Sequence, residues 1–138
     1  MFPKLILGGC YEDARGTIKY NNRFNASEIK RFYLIENKSL RFVRAWQGHK
    51  IEQRWFLVSK GSFKIQLIAI DNWEHPSKNL IPDTFFLNEN QFDILHVPSG
   101  YVSSIQVLER ESKLIVMANY LLGEINDEYR YDVTYFNI

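Results

Sequence analysis

The side chains best suited to chemistry in this chain lie between residues 44 and 50, around one imidazole. His49 could carry a proton, because the pKa of histidine lies close to neutral pH. Gln47 precedes it by two residues, so both side chains would lie on one face of a β-strand. An amide cannot act as a base, but it can donate a hydrogen bond. From the residues alone, His49 is either a structural histidine whose nitrogens are satisfied within the fold or a proton carrier in organic acid–base chemistry.

The composition is that of an ordinary folded protein. The chain has 138 residues, of which 46% are hydrophobic and 15% aromatic, enough for one well-packed domain rich in β-structure. Its formal charge of +1 gives no overall field that attracts nucleic acid or an anionic membrane. The single cysteine cannot form an internal disulfide, and no apolar run approaches the length of a membrane span. We therefore expect a cytoplasmic protein with neither nucleic acid nor membrane as a partner.

Short runs of alternating polarity, separated by turn residues, predict an all-β sandwich or barrel. The clearest hairpin joins residues 54–59 to residues 63–67 through a turn in which Gly61 can adopt a positive φ. Residues 71–83 form the one long irregular stretch, which we interpret as a surface excursion or a lid. The predicted strands are 17–20, 30–36, 40–45, 54–59, 63–70, 84–87, 94–97, 101–108 and 114–120.

Several segments resemble, in the same order, those of cupin enzymes that act on nucleotide sugars. They are 13–16, 29–35, 44–50, 59–62, 98–100 and 127–132. The sequence resembles the dTDP-4-keto-6-deoxyhexose 3,4-ketoisomerases and, more distantly, the dTDP-4-dehydrorhamnose 3,5-epimerases. This resemblance implies an all-β, single-domain jelly-roll barrel of the RmlC-like cupin type over residues 1–138. It also implies a homodimer that binds a thymidine diphosphate-linked sugar.

The resemblance assigns roles to the residues around His49. The family pattern reads R-G-x-H-x-H-K, so that Gln47 stands in place of the first histidine and His49 matches the second. In both related activities a base removes a proton beside the C4 ketone, and an acid stabilises the enediolate. His49 is the predicted base, and Gln47 would orient the substrate or donate a hydrogen bond to the C4 oxygen. Further catalytic candidates are His96, which could line the cavity or the outside of the barrel, and Tyr129 and Tyr131.

A second set of residues is predicted to bind the substrate. Arginines at comparable positions hold the diphosphate in the resembling family, for which a planar guanidinium is well suited. Arg44 is the first choice, although strand alternation places it opposite Gln47 and His49, so that it reaches the cavity only through a β-bulge. Tyrosines can stack on thymine, and serines can bind a sugar hydroxyl. The full set is Arg31, Tyr33, Arg44, Arg54, Lys64 and Ser103.

Most metal-ligand positions of cupins are replaced in this chain. Metal-binding cupins use two histidines in an H-x-H pair, a carboxylate and a third histidine. These positions read Gln47, His49, Gln53 or Arg54, and Ser103. A lone neutral imidazole cannot hold zinc, iron or manganese against water, so we expect neither a metal nor a cofactor. The alternative to an enzyme is a cupin that binds a sugar or nucleotide sugar without catalysis, for which Gln47 is the main evidence.

Overall fold

The computed structural model describes residues 1–138 and consists almost entirely of β-strands, joined by turns and one 3-10 helix at Ala26–Glu28. None of its helical structure is long and apolar enough to cross a bilayer. The strands are β1 (Lys4–Ile6), β2 (Gly9–Asp13), β3 (Gly16–Tyr20), β4 (Arg31–Ile35), β5 (Val43–His49), β6 (Arg54–Lys60), β7 (Ser62–Ala69), β8 (Asp83–Asn88), β9 (Ile94–Val97), β10 (Tyr101–Val107), β11 (Lys113–Ala118) and β12 (Tyr129–Arg130).

The strands form two antiparallel sheets of five strands and one separate hairpin. The first sheet has the order β1-β9-β6-β11-β4, and the second has the order β12-β5-β10-β7-β8. Strands β2 and β3 pair only with each other. Neighbours in each sheet are mostly distant in sequence, as in β5 with β10 and β6 with β11. The predicted all-β class is thus confirmed.

The main core lies between the two sheets. It contains 13 buried residues, contributed by strands of both sheets. Alternation is clear in β7, where Phe63, Ile65 and Leu67 are fully buried while Lys64 between them is only partly buried. Burial of each such side chain contributes about 1.5–3 kcal/mol to the free energy of folding. Because successive side chains of a strand point to opposite faces, Lys64 lies on the outer face of the second sheet.

The outer faces of both sheets are also partly covered. Trp46, Ile68 and Val102 of the second sheet pack with Phe136 near the carboxyl end of the chain. A third cluster, around Trp55 on the first sheet, includes partly buried residues that precede β4, among them Phe24 and Ile29. These coverings explain why several strands read as continuous apolar runs rather than as strict alternation.

A β-bulge in β5 decides which side chains enter the space between the sheets. Ser103 of β10 lies opposite Gln47, whereas Ile105 lies opposite Arg44. Three residues of β10 therefore face four residues of β5, so β5 contains one extra residue. The extra residue restores Arg44 to the same face as Gln47 and His49. Simple strand alternation placed Arg44 on the wrong face, because it counts residues along one strand and ignores its pairing.

The irregular stretch 71–83 lies on the outside of the second sheet. Trp73 packs against Tyr129, with 4.7 Å between ring centroids, and its carbonyl oxygen accepts a hydrogen bond from the hydroxyl of Tyr131. No residue of 71–82 lines the cavity between the sheets. The stretch is therefore a surface excursion fastened to the carboxyl-terminal segment rather than a lid over that cavity.

Candidate active site

A cavity of about 360 Å³ lies between the two sheets. Strands of both sheets line it, and eight of its 15 lining residues are hydrophobic, a mixture typical of small-molecule sites. The polar lining comes mainly from β4, β5, β6 and β10. It comprises Tyr33, Glu36, Arg44, Gln47, His49, Arg54, Tyr101 and Ser103. Six of the side chains predicted from the sequence are thus brought together around one space.

His49 is held in one tautomer. Its Nδ1 lies 2.9 Å from the main-chain carbonyl oxygen of Asp127 and 3.0 Å from Oε2 of Glu52. Both oxygens can only accept, so Nδ1 carries the proton and donates it. In the neutral imidazole the lone pair is then on Nε2, which is the nitrogen that remains for a ligand. His49 is therefore arranged as a base that acts through Nε2.

The surroundings keep His49 uncharged at neutral pH. Burial lowers the pKa of His49 below its usual 6.5, and the positive charge of Arg54 lowers it further. The Asp127 carbonyl and the Glu52 carboxylate act in the opposite direction, but burial is the larger effect. An imidazole that is neutral at pH 7 can accept a proton without first losing one.

A chain of hydrogen bonds connects His49 to a phenol in the cavity. Glu52 Oε2 accepts from Nη2 of Arg54 at 3.1 Å, and Nη1 of Arg54 donates to the hydroxyl oxygen of Tyr33 at 2.8 Å. Glu52 and Arg54 are both buried. Because the Tyr33 oxygen accepts from a guanidinium, its own hydroxyl proton is free to be donated to a ligand. A base and a hydrogen-bond donor are thus linked through one buried ion pair.

Asp127 positions the turn that follows β5. Its carboxylate accepts hydrogen bonds from the main-chain N–H groups of Lys50, Ile51 and Glu52, at 3.0, 2.8 and 2.8 Å. The same residue holds His49 through its carbonyl oxygen. Sequence reasoning selected neither Asp127 nor Glu52 as a site residue. Glu52 follows His49 by only three residues, so its proximity to His49 could have been inferred from the spacing. Asp127 is 78 residues from His49, and only its position in the family-like segment 127–132 pointed to the site.

Gln47 is already engaged by an acidic side chain. Its Nε2 donates to the carboxylate of Glu128, which also accepts from Nη2 of Arg130 at 3.0 Å. A carboxylate only accepts, so the amide nitrogen must face Glu128. The amide carbonyl oxygen and one N–H remain for a ligand. Gln47 is consequently better placed to recognise a hydroxyl group than to supply a dedicated donor to a ketone.

Arg44 and Ser103 complete the polar wall of the cavity. Arg44 is exposed, and its Nε donates to the side-chain oxygen of Asn37 at 3.1 Å, which leaves its terminal nitrogens available. Ser103 lies opposite Gln47, and its hydroxyl donates to the main-chain carbonyl oxygen of Gln47 at 3.4 Å. Tyr101 also lines the cavity, and burial raises its pKa, so its phenol stays protonated.

Two predicted site residues lie on outer sheet faces instead. His96 stacks on Trp55 with 4.9 Å between ring centroids, and its Nε2 lies 2.6 Å from the side-chain oxygen of Gln53. Its neighbours Leu95 and Val97 point into the main core, so alternation directs His96 outwards. Lys64 points outwards for the same reason. Neither side chain lines the cavity.

Tyr129 and Tyr131 also lie outside the cavity. Strand β12 pairs with β5 so that Tyr129 lies opposite Gly48, whose face of β5 is the one that carries Trp46. Tyr131 packs in the cluster formed by Trp46 and its neighbours. Both phenols therefore lie on the outer side of the second sheet. The family-like segment 127–132 contributes Asp127 and Glu128 to the site rather than its tyrosines.

The acidic groups near His49 do not suit a metal ion. Potential ligand atoms of His49, Glu52 and Asp127 lie within 4.8 Å of one another. However, the Asp127 carboxylate accepts three N–H groups, and Glu52 is paired with the Arg54 guanidinium. The cavity-facing residue at the family's carboxylate position is the cation Arg54, while Gln53 faces His96. A metal would have to displace these donors and sit beside a permanent positive charge.

Comparison with known proteins identifies the fold. No protein family model matches the chain, and no curated protein gives a significant match. A histidine-to-asparagine mutant of a 3,4-ketoisomerase from Thermoanaerobacterium thermosaccharolyticum, solved with TDP-4-keto-6-deoxyglucose, is similar with a TM-score of 0.72 and 21% identity, over 96% of this chain and 90% of that one. A TDP-quinovose 3,4-ketoisomerase from Campylobacter jejuni gives 0.70 and 21%, over 94% and 92%.

A third similar structure comes from the epimerase branch. The RmlC epimerase of Mycobacterium tuberculosis has a TM-score of 0.74 and 14% identity, over 96% of this chain and 70% of that one. The solved structures that resemble this chain thus include both enzyme types that its sequence resembles. At these identities they confirm the RmlC-like cupin jelly-roll fold.

Proposed function

We propose that this chain is a sugar-nucleotide isomerase or epimerase that moves a proton beside the C4 ketone of a dTDP-4-keto-6-deoxyhexose. The observation that carries the proposal is His49, which is buried at the wall of the cavity with Nδ1 fixed by Asp127 and Glu52. A neutral imidazole with a free Nε2 is the group that such a reaction requires. The fold shared with known 3,4-ketoisomerases and an epimerase supports the same reaction class.

In the proposed reaction, Nε2 of His49 takes the proton from the carbon next to the ketone. The electrons of the broken C–H bond form an enediolate, whose negative charge is on the former ketone oxygen. His49 becomes an imidazolium that the nearby Glu52 carboxylate stabilises through Nδ1–H. Transfer of the proton to the former ketone carbon completes a ketone shift, while the hydroxyl proton of the deprotonated carbon moves to the former ketone oxygen. Protonation of the deprotonated carbon by solvent on its opposite face, with release of the His49 proton to solvent, instead gives an epimer.

Tyr33 is the proposed electrophile. Its hydroxyl proton is free because its oxygen accepts from Arg54, and the buried guanidinium behind it favours negative charge on the ligand side. Arg44 is the proposed diphosphate ligand, because the bulge in β5 brings it to the cavity with terminal nitrogens available. Gln47 and Ser103 would bind sugar hydroxyl groups. We therefore assign proton transfer to His49, stabilisation of the enediolate to Tyr33, and recognition of the substrate to the other three.

The proposed mechanism needs no metal, because His49 supplies the base and Tyr33 with Arg54 supplies the stabilisation of negative charge. We also propose a homodimer, since β4 is an edge strand with exposed Phe32 and Leu34 on it. A cytoplasmic location remains our expectation. Elemental analysis of the purified protein should find less than stoichiometric transition metal, and one tightly held ion per chain that activity requires would contradict the metal-free mechanism.

A binding protein without catalysis is the second candidate, and Gln47 is the observation that favours it. The amide replaces a histidine of the family pattern and is tied to Glu128. The two candidates differ in one assay, in which dTDP-4-keto-6-deoxyglucose is incubated with the protein and followed by proton NMR. An enzyme gives new sugar resonances in proportion to protein and time. A binder gives only saturable line broadening.

Calorimetry with thymidine diphosphate tests the binding part of both candidates. Arg44→Ala should weaken binding by about tenfold or more, because a charge-assisted hydrogen bond contributes about 1.5–3 kcal/mol. Lys64→Ala is the matched control, since Lys64 lies on the outer face of the second sheet. Equal binding by wild type and Arg44→Ala would contradict the diphosphate assignment, and absence of binding by wild type would exclude both candidates.

A further inference from the structure

One short segment orients two neighbouring side chains of β5 in the cavity. The segment consists of Asp127 and Glu128, which directly precede β12. The carbonyl oxygen of Asp127 holds Nδ1 of His49, and the carboxylate of Glu128 accepts from Nε2 of Gln47. The first contact fixes the tautomer of the proposed base. The second has no part in the proposed proton transfer, and Glu128 itself does not line the cavity.

The Glu128 carboxylate is held from a second side by Arg130. Nη2 of Arg130 donates at 3.0 Å to Oε1 of Glu128, the same oxygen that accepts from Gln47. Arg130 also lies directly opposite Gln47 where β12 pairs with β5. A guanidinium and an amide thus share one carboxylate oxygen, which can only accept hydrogen bonds. This arrangement keeps the carboxylate at the nitrogen end of the Gln47 amide.

The contact with Glu128 decides which end of the Gln47 amide a ligand meets. Turning the amide by half a turn would place its carbonyl oxygen against a carboxylate oxygen, so a charge-assisted hydrogen bond would become a repulsive contact between two acceptors. Both N–H groups therefore lie at the end that Glu128 holds. The opposite end is Oε1, which makes no hydrogen bond within the chain and is not buried. Gln47 lies on the inner face of β5 and lines the cavity, because its neighbour Trp46 packs in the outer cluster, so it offers a ligand an acceptor.

Ser103, opposite Gln47 on β10, is oriented in the same sense. Its hydroxyl proton is donated to the main-chain carbonyl oxygen of Gln47, so the Ser103 oxygen is left as an acceptor. Ser103 also lines the cavity. The hydroxyl of Tyr33, which is the donor proposed for the enediolate, comes from β4 in the other sheet. The part of the wall at Gln47 and Ser103 therefore presents acceptors to a ligand.

We propose that Glu128 is a positioning residue that makes Gln47 a hydrogen-bond acceptor, so that the site selects a nucleotide sugar with a free hydroxyl group at the carbon facing Gln47. The inference rests on the proposed function, because it requires the sugar to enter this cavity. An imidazole at position 47, as in the family pattern, could either accept or donate. An amide held at its nitrogen end can only accept from the ligand in front of it. A ketone, an ether or a fluorine atom at that carbon would face Oε1 with its own lone pairs.

The test is calorimetry of the whole protein with dTDP-glucose and with its 2-deoxy-2-fluoro and 3-deoxy-3-fluoro counterparts. None of these ligands has a ketone, so binding is measured without turnover, and fluorine cannot donate a hydrogen bond. In wild type, fluorine at one of the two positions should weaken binding by about tenfold, since a hydroxyl donor is lost and Oε1 is left unpaired. In Glu128→Gln the new side chain can donate as well as accept, so the Gln47 amide can turn its N–H groups to the ligand. The ratio should then fall to about twofold or less. Glu74→Gln, in the exposed loop, should keep the wild-type ratio.

Gln47→Ala should remove the discrimination, and Glu128→Gln should change nothing further in that background. A purely structural role of Glu128 would weaken all three ligands alike and leave their ratios at the wild-type values, which would overturn the proposal. Wild-type binding that ignores fluorine at both positions would also overturn it, as would an effect of Glu128→Gln on the ratios that persists beside Gln47→Ala. In those cases the proposed function stands, whereas failure of wild type to bind either dTDP-glucose or thymidine diphosphate would remove both. The Glu128 variant should fold, because 51% of the Glu128 side chain is exposed.

Discussion

Glu52→Gln is the substitution that most directly tests how His49 is activated. The change keeps the size of the side chain but removes a buried negative charge that lies 3.0 Å from Nδ1 of His49 and 3.1 Å from Nη2 of Arg54. Where a carboxylate alone fixes the tautomer of a catalytic histidine, amide replacement costs about 10⁴-fold in rate. Here the Asp127 carbonyl accepts from the same nitrogen at 2.9 Å and preserves the tautomer.

We therefore expect Glu52→Gln to lower kcat by only about 10- to 100-fold, which is about 1.4–2.7 kcal/mol in activation free energy. The loss comes from the imidazolium, which the neutral amide stabilises less than the carboxylate does. The Glu52 charge also raises the pKa of His49, so its removal should lower that pKa. The acid limb of kcat/KM against pH should accordingly move to lower pH.

The assay is turnover of dTDP-4-keto-6-deoxyglucose followed by NMR from about pH 5 to 8, the range in which histidine titrates. Urea unfolding should run beside it, because loss of one partner from a buried ion pair costs up to about 3–5 kcal/mol. Glu74→Gln, in the exposed loop, is the control. A loss near 10⁴-fold would show that the Asp127 carbonyl does not fix the tautomer. An unmoved acid limb would show that Glu52 acts only on packing.

Three further outcomes follow from the packing and titration of the site. Asp127→Ala should lower the free energy of unfolding in urea by about 2–4 kcal/mol, because three N–H groups lose their acceptor. Asp127→Asn keeps one acceptor oxygen and should be less destabilising, so a smaller loss in Asp127→Ala than in Asp127→Asn would contradict this account. Gly48→Ala should cost about 3 kcal/mol or more, since the added Cβ would lie 2.1 Å from the Tyr101 carbonyl oxygen, and wild-type stability would disprove the observed strand contact. Burial lowers the pKa of both His49 and His96 below 6.5, so just below that pH the unfolded chain binds more protons than the folded one. The free energy of unfolding should therefore fall on acidification from pH 6.5. The fall should be smaller in a variant in which both histidines are replaced by asparagine.

Strand positions could be predicted well from local patterns. The hairpin predicted at 54–59 and 63–67 corresponds to β6 and β7, because alternation and a glycine turn are local properties. The short strands β1, β2 and β12 were not predicted, since their pairing and not their residue pattern defines them. The bulge in β5 could not be predicted either, because it arises from pairing with β10, more than fifty residues away.

The site was predictable where its members are close in sequence. Gln47 and His49 lie on one strand, and spacing alone put them on one face. Their partners Glu128 and Asp127 come from the other end of the chain, so the hydrogen bonds that fix the tautomer of His49 leave no local pattern. His96 illustrates the remaining difficulty, since alternation says which residues share a face but not which face is inside.

Solvent exchange tests the central claim most directly. Incubated in deuterated water with dTDP-4-keto-6-deoxyglucose, the wild-type protein should incorporate deuterium at C3 of the sugar, because abstraction beside the ketone is the first step proposed for His49. His49→Asn should abolish incorporation and still bind thymidine diphosphate. Binding without any exchange in wild type would show that the chain is a binder, and exchange that persists in His49→Asn would show that His49 is not the base.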